Sequence, residues 1–312
     1  MARPVTLGMI NVMLKSESLA ERRTQLLKDV DDAGKQGCNI VMLPEYADHH
    51  KTNEAYAAHS KGFEQVLAVN GLTLKSPFMQ ELSGLARKHK MVVIPDVLFL
   101  EDNRRRNSCV VYGPEGSVLG LYSKTHLAPG ECKQVEAGDS LKPIATPFGK
   151  LGLSICYDVQ FPEIPRVYEV EGAELLLWTT MRQCEHEDGQ FRLILPARCI
   201  ETGLPLGVAT YVTEHQRIGR KPMSSHIYNA LGQVVAGGSH KGGVVRGTLD
   251  LDEVNLERRS WEQPDWVNAS SYYRRQRRPD LYGALTRPLS DEEKNPDNEK
   301  AIQKVDNYNP SL

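Results

Sequence analysis

Asn39-Ile40-Val41-Met42-Leu43-Pro44-Glu45 is a short β-prone apolar run stopped by a proline, and its setting decides how the whole chain is read. Upstream, Leu19, Leu26, Leu27, Val30 and Ala33 recur at helical spacing, with Ser16 or Ser18 as the cap and Gly37 as the stop. Before that helix, residues 4–14 hold Val5, Leu7, Met9, Ile10 and Val12 in a strand-like run. The opening is therefore a β-α-β unit, and Glu45 lies just past the end of its second strand.

The arrangement recurs along the chain. Residues 76–90 read as a helix and 91–94 as a strand. Residues 109–112 and 118–122 read as strands joined by the turn Gly113-Pro114-Glu115-Gly116. Residues 151–155 form a strand, and 162–171 a helix opened by proline. Strands follow at 175–178, 206–212 and 244–251, a helix at 191–201 and a hairpin at 227–235. Helices alternating with strands, interrupted by hairpins, indicate an α/β protein with mixed sheets. So many strands in one stretch imply two packed sheets covered by helices. No linker divides the chain, which reads as one domain over residues 1–285 and an extended, charged tail over 286–312.

Bulk properties narrow the class. The chain has 312 residues, 40% hydrophobic and 25% charged, with a formal net charge of -2. That balance gives no strong attraction to nucleic acid or membrane, and no apolar run approaches the length of a membrane span. The N-terminus lacks the features of a signal peptide. Six scattered cysteines without a CxxC pair indicate free thiols in a reducing compartment, so a cytoplasmic protein is expected.

Three residues of chemical interest share a strand-end position: Glu45, Lys124 and Cys156. Such positions converge at one edge of a sheet although distant in sequence, and ligands bind at that edge. A carboxylate takes a thiol proton, a lysine stabilises thiolate and oxyanion, and the backbone N–H of Tyr157 offers a second oxyanion donor. Together they suit acyl transfer through a thioester.

Here the sequence resembles the nitrilase superfamily of carbon–nitrogen hydrolases. The resemblance rests on Leu43-Pro44-Glu45, on Tyr122-Ser123-Lys124-Thr125-His126-Leu127, and on Gly152-Leu153-Ser154-Ile155-Cys156-Tyr157-Asp158 leading to Phe161-Pro162-Glu163. Weaker matches are Pro147-Phe148-Gly149, Ala197-Arg198 with Glu201, and Arg278-Pro279-Asp280-Leu281-Tyr282. The resemblance implies a four-layer α-β-β-α sandwich with two mixed β-sheets. It also implies a Glu-Lys-Cys triad: Glu45 the base, Lys124 the oxyanion stabiliser, Cys156 the nucleophile. Many members carry a second glutamate after the lysine motif, for which Glu131 is the candidate and Glu136 the runner-up. Tyr46, Tyr157 and Arg182 are the substrate-binding candidates, Arg182 for a substrate carboxylate if it faces the pocket, with solvent exposure or an ion pair as its equal alternative. The implied activity is hydrolysis of a small linear amide or N-carbamoyl compound with water. No metal or other cofactor is called for, and a homodimer or higher homo-oligomer is expected. Nitrile hydrolysis and a catalytically silent scaffold relative are the alternatives.

Other polar clusters read as ordinary surface. His126 is read as structural. Cys184-Glu185-His186-Glu187-Asp188 reads as a loop near the pocket mouth rather than a metal site, and His49-His50 as a solvated loop. The basic run Arg274-Arg275-Gln276-Arg277-Arg278 reads as a tail packed at a dimer interface rather than a nucleic-acid contact.

Overall fold

Strand β1 (Pro4–Met13) is buried on both faces, which is why it reads as an apolar run. Val5, Leu7 and Met9 enter one core, Ile10 and Val12 another, the period-two alternation of a strand. After it, α1 (Leu19–Lys35) starts at a capping box in which Ser18 and Glu21 satisfy each other's backbone N–H groups. β2 (Ile40–Met42) repeats the split, Ile40 and Met42 facing one core and Val41 the other. α2 (Pro77–His89) and β3 (Val92–Ile94) follow. The computed structural model describes residues 2–49, 52, 71–128, 131–182, 184–186, 189–213, 220–252 and 276–288.

β4 (Asp96–Glu101) was not legible in the sequence, because Pro95 cuts it from β3. It pairs antiparallel with β5 (Arg104–Tyr112). The turn between them places Asp102 and Asn103 at φ 47° and 62°, the left-handed pair that suits a two-residue hairpin. β6 (Val118–Ser123) completes this half and delivers Lys124.

The second half holds β7 (Ile144–Thr146), β8 (Gly149–Ile155), α3 (Glu163–Val170) and β9 (Leu175–Thr179). Next come β10 (Cys184–His186), α4 (Gln190–Thr202), β11 (Leu206–Val212) and β12 (Arg220–Pro222). β13 (His226–Tyr228) and β14 (Val234–Gly237) form the expected hairpin, and β15 (Gly243–Asp250) runs back along β1. A short helix, α5 (Gly283–Thr286), lies in the described C-terminal segment. Cys184–His186 is a strand paired with Arg220–Pro222, not the loop that its polar composition suggested; backbone pairing outweighs side-chain polarity there.

The strands connect as β4-β5-β3-β2-β1-β11-β9-β8-β7, a mixed path joined where Asn11–Met13 pair in parallel with Thr210–Val212. Two half-sheets thus meet at β1 and β11. Their inner faces share one core: Leu7, Met9, Ile40 and Met42 from one half, Leu151, Leu153, Leu177 and Val208 from the other. α1 and α2 cover the outer face of the first half through Leu26, Val30, Phe78 and Leu82. α3 and α4 pack on the second through Ile164, Tyr168, Leu195 and Cys199. This is the four-layer α-β-β-α sandwich. Each fully buried aliphatic side chain contributes about 1.5–3 kcal/mol. Gly152 shows how close the layers come: a Cβ there would lie 2.7 Å from the Tyr168 ring.

Candidate active site

β2, β6, β8 and β9 end at one edge of the sandwich, and each delivers a polar residue there. Cys156 directly follows β8 with a φ of 47°, a left-handed conformation rarely taken by a residue other than glycine. The strain is held from several sides. The Trp178 indole N–H donates to the Cys156 carbonyl at 3.0 Å. Arg198 donates twice to the Val159 carbonyl, at 2.9 and 3.2 Å, inside the 3-10 turn Cys156–Gln160. Backbone strain so supported is common where a side chain must be presented to a ligand.

Glu45 is fully buried. Its Oε1 accepts from Lys124 Nζ at 3.0 Å and from Asn107 Nδ2 at 2.8 Å; among the described residues its Oε2 accepts only the Met181 backbone N–H, at 2.9 Å. The backbone around it is tied across the two half-sheets: the Tyr211 hydroxyl donates to the carbonyls of Glu45 and Tyr46, and Thr179 to that of Leu43. Lys124, equally buried, also donates to Glu131 Oε2 at 2.7 Å. Burial works against its charge, but Glu45, Cys156 and Glu131 together hold its pKa above the usual lysine value. Burial first, then the Glu45 charge, pushes the Cys156 thiol up to about 12, against the pull of Lys124, a hydrogen bond from Thr180 and the charge of Arg182. A thiol so raised favours its protonated form. Asp96 is a third buried carboxyl, raised well above its ordinary value by burial and then by Glu45.

The two candidate second glutamates separate cleanly. Glu131 meets Lys124, Asn107, the Ala128 N–H and the Tyr46 hydroxyl. Glu136 points away, exposed and paired loosely with Arg104 at 3.7 Å. Tyr46 is buried with its hydroxyl 3.3 Å from Glu131. Tyr157 is more open, its ring edge-on to Phe161. Arg182 stands beyond the end of β9 with its guanidinium 4.6 Å from the Phe191 ring centroid. His126 stacks on Phe161 at 3.8 Å.

Three contributors escaped the sequence reading. Asn107 sits two residues before the apolar run that marked β5. Asp96 belongs to the unrecognised β4. Asp158 lies inside the cysteine motif, where nothing in the residue pattern indicates its task. It is fully buried and accepts from the Tyr122 hydroxyl (2.6 Å), Ile155 N–H (2.9 Å), His126 N–H (2.9 Å) and Thr125 hydroxyl (3.1 Å). It thereby clamps the lysine segment to the cysteine turn.

The expected solvated loop at His49 is corrected. His49 is buried, and its Nδ1 lies 2.8 Å from Asp48, whose carboxylate also binds Arg23. A fully buried Asp48 needs these partners, and that draws the imidazole inward. His50, Glu187, Asp188, Arg274 and Arg275 lie outside the described residues.

The family model described as "Carbon-nitrogen hydrolase" matches residues 6–259. A probable nitrilase of Schizosaccharomyces pombe is 30% identical over 254 residues, covering 80% of this chain and 86% of that protein. The deaminated glutathione amidase of Homo sapiens is 32% identical, covering 84% of this chain and 79% of its own length. The omega-amidase of Homo sapiens is 26% identical, covering 80% and 89%. Among solved structures, a carbon–nitrogen hydrolase from Helicobacter pylori superposes with a TM-score of 0.71 at 24% identity, covering 92% of this chain and 99% of that one.

Proposed function

The chain belongs to the carbon–nitrogen hydrolase family, and we propose that it is a thiol amidohydrolase for a small linear amide or N-carbamoyl compound. The observation that carries this reading is the buried Glu45–Lys124–Glu131 cluster beside a cysteine held at positive φ. The relatives named as amidases favour amide over nitrile chemistry.

In the proposed reaction Cys156 Sγ attacks the carbonyl carbon while its proton passes to Glu45. That proton goes to Oε2, since Oε1 already accepts two N–H groups. Two hydrogens of Lys124 are taken by glutamates, and the third serves the oxyanion together with the Tyr157 backbone N–H. Collapse breaks the C–N bond. Glu45 returns its proton to the departing ammonia or amine, leaving a thioester on Cys156. Water, deprotonated by Glu45, then attacks the thioester and releases the acid and the free thiol. Glu131 holds Lys124 in place. Arg182 is the candidate for a substrate carboxylate.

The catalytic domain is taken as residues 1–285, followed by the tail. We expect a homodimer, supported by Leu193 (72% exposed), Ile200 (52%) and Val167 on the outer side of α3 and α4. A cytoplasmic location is supported by the free thiols of Cys38, Cys109, Cys132, Cys156 and Cys199. Turnover of a panel of amides, carbamoyl compounds and nitriles, read by ammonia release, tests the reading. Wild-type turnover of amides and an acyl adduct on Cys156 by intact mass are expected. Turnover restricted to nitriles favours nitrilase chemistry, and a folded protein silent on the whole panel favours a scaffold role.

A further inference from the structure

We propose that Asn107 is a positioning residue for this reaction, its side-chain amide bridging Glu45 and Glu131 and so fixing the direction of the free N–H of Lys124. The inference rests on the amidohydrolase reading and goes beyond it.

Asn107 Nδ2 lies 2.8 Å from Glu45 Oε1 and 3.1 Å from Glu131 Oε1. Lys124 Nζ bridges the same two side chains from the other side, at 3.0 and 2.7 Å. Two carboxylates are thus stitched together by one amide and one ammonium. The amide orientation follows from chemistry: reversed, its oxygen would face two carboxylates and donate nothing to either. Asn107 is fully buried, yet its Oδ1 has no protein partner among the described residues. A buried acceptor left without a donor is costly. The site accepts that cost to place two neutral N–H donors where any added cation would compete with Lys124.

The consequence is directional. With both glutamates held, two hydrogens of Lys124 are committed and tetrahedral geometry sets the third. With Oε1 of Glu45 saturated, the thiol proton has Oε2 as its destination. Asn107 touches none of the reacting atoms. Its loss should therefore lower kcat and leave KM nearly unchanged.

The test compares wild type with Asn107→Leu and Asn107→Asp on an amide that the wild type hydrolyses. Asn107→Leu should lower kcat roughly 10- to 100-fold at every pH, the scale for hydrogen bonds to charged groups, with KM within about threefold. Asn107→Asp carries the sharper signature. Protonated, the new carboxyl donates one hydrogen bond to a glutamate; ionised, it repels both. Flanking carboxylates raise its pKa, so its kcat relative to wild type should fall as pH rises from about 5.5 to 8. If Asn107→Leu fails to fold, Asn107→Ala supplies the donor-free comparison. A donor-free variant within about threefold of wild type in kcat overturns the proposal. So does a flat pH ratio for Asn107→Asp. A wild type silent on all amides defeats the functional reading, and this role falls with it; an active wild type with indifferent variants defeats this role alone.

Discussion

Glu45→Gln keeps the length of the side chain and removes its charge and basicity. In the wild type the Cys156 thiol is pushed up to about 12, so at pH 7 roughly one thiol in 10⁵ is ionised before substrate arrives. Attack by that fraction alone forfeits about five factors of ten, and handing the proton to Glu45 during attack recovers much of the loss. Removing the base should therefore lower kcat by about 10²- to 10⁴-fold. The thiol itself should respond in the opposite sense. Burial still raises its pKa, but the Glu45 charge is gone while Lys124 and Arg182 still favour the thiolate. Ammonia release reads turnover, and iodoacetamide alkylation of the Cys156 peptide across pH reads the thiol. Wild-type alkylation should climb about tenfold per pH unit through about pH 10 without levelling, whereas the variant levels off earlier. The amide must also turn its nitrogen toward one existing donor, Met181 N–H or the Lys124–Asn107 pair, at a stability cost of about 1–3 kcal/mol. Turnover within about tenfold of wild type would refute Glu45 as the base. Turnover and alkylation falling in parallel would reduce Glu45 to a structural prop.

Further outcomes follow from the same geometry. Cys156→Ala should cut turnover by roughly 10⁴-fold or more with an unchanged circular-dichroism spectrum; near-wild-type activity excludes it as nucleophile. Arg182→Ala should raise KM for acidic amides about tenfold or more and spare neutral ones, and a uniform effect on both removes the carboxylate assignment. Asp158→Ala strips the acceptor from four buried or half-buried donors; a loss of about 3 kcal/mol or more is expected, visible as a Tm drop of roughly 5–10 °C. Leu193→Glu with Ile200→Glu should shift light-scattering mass toward the monomer, and an unchanged dimer mass places the interface elsewhere.

The long elements were legible because their burial is periodic. α1 showed its apolar spacing, its Ser18 cap and its stop near Gly37, and the structure ends it at Lys35. β1, β2, β8, β9 and β11 showed as apolar runs because both faces are covered. β4 and β10 were hidden, since each owes its existence to pairing with a partner strand and not to a pattern of its own. At the site, the strand-end positions of Glu45, Lys124 and Cys156 were readable; their neighbours were not. Asn107, Asp96 and Asp158 are buried polar residues whose partners lie at sequence separations of 3 to 62 residues.

By itself the sequence determined the α/β class, the order of the main elements and the three strand-end side chains of chemical interest, because each is written in local spacing. Only the tertiary structure decided which glutamate joins Lys124, what surrounds Glu45 and what clamps the cysteine turn. Those outcomes depend on desolvation and on hydrogen bonds between distant segments, and both arise only when the two half-sheets close on one another.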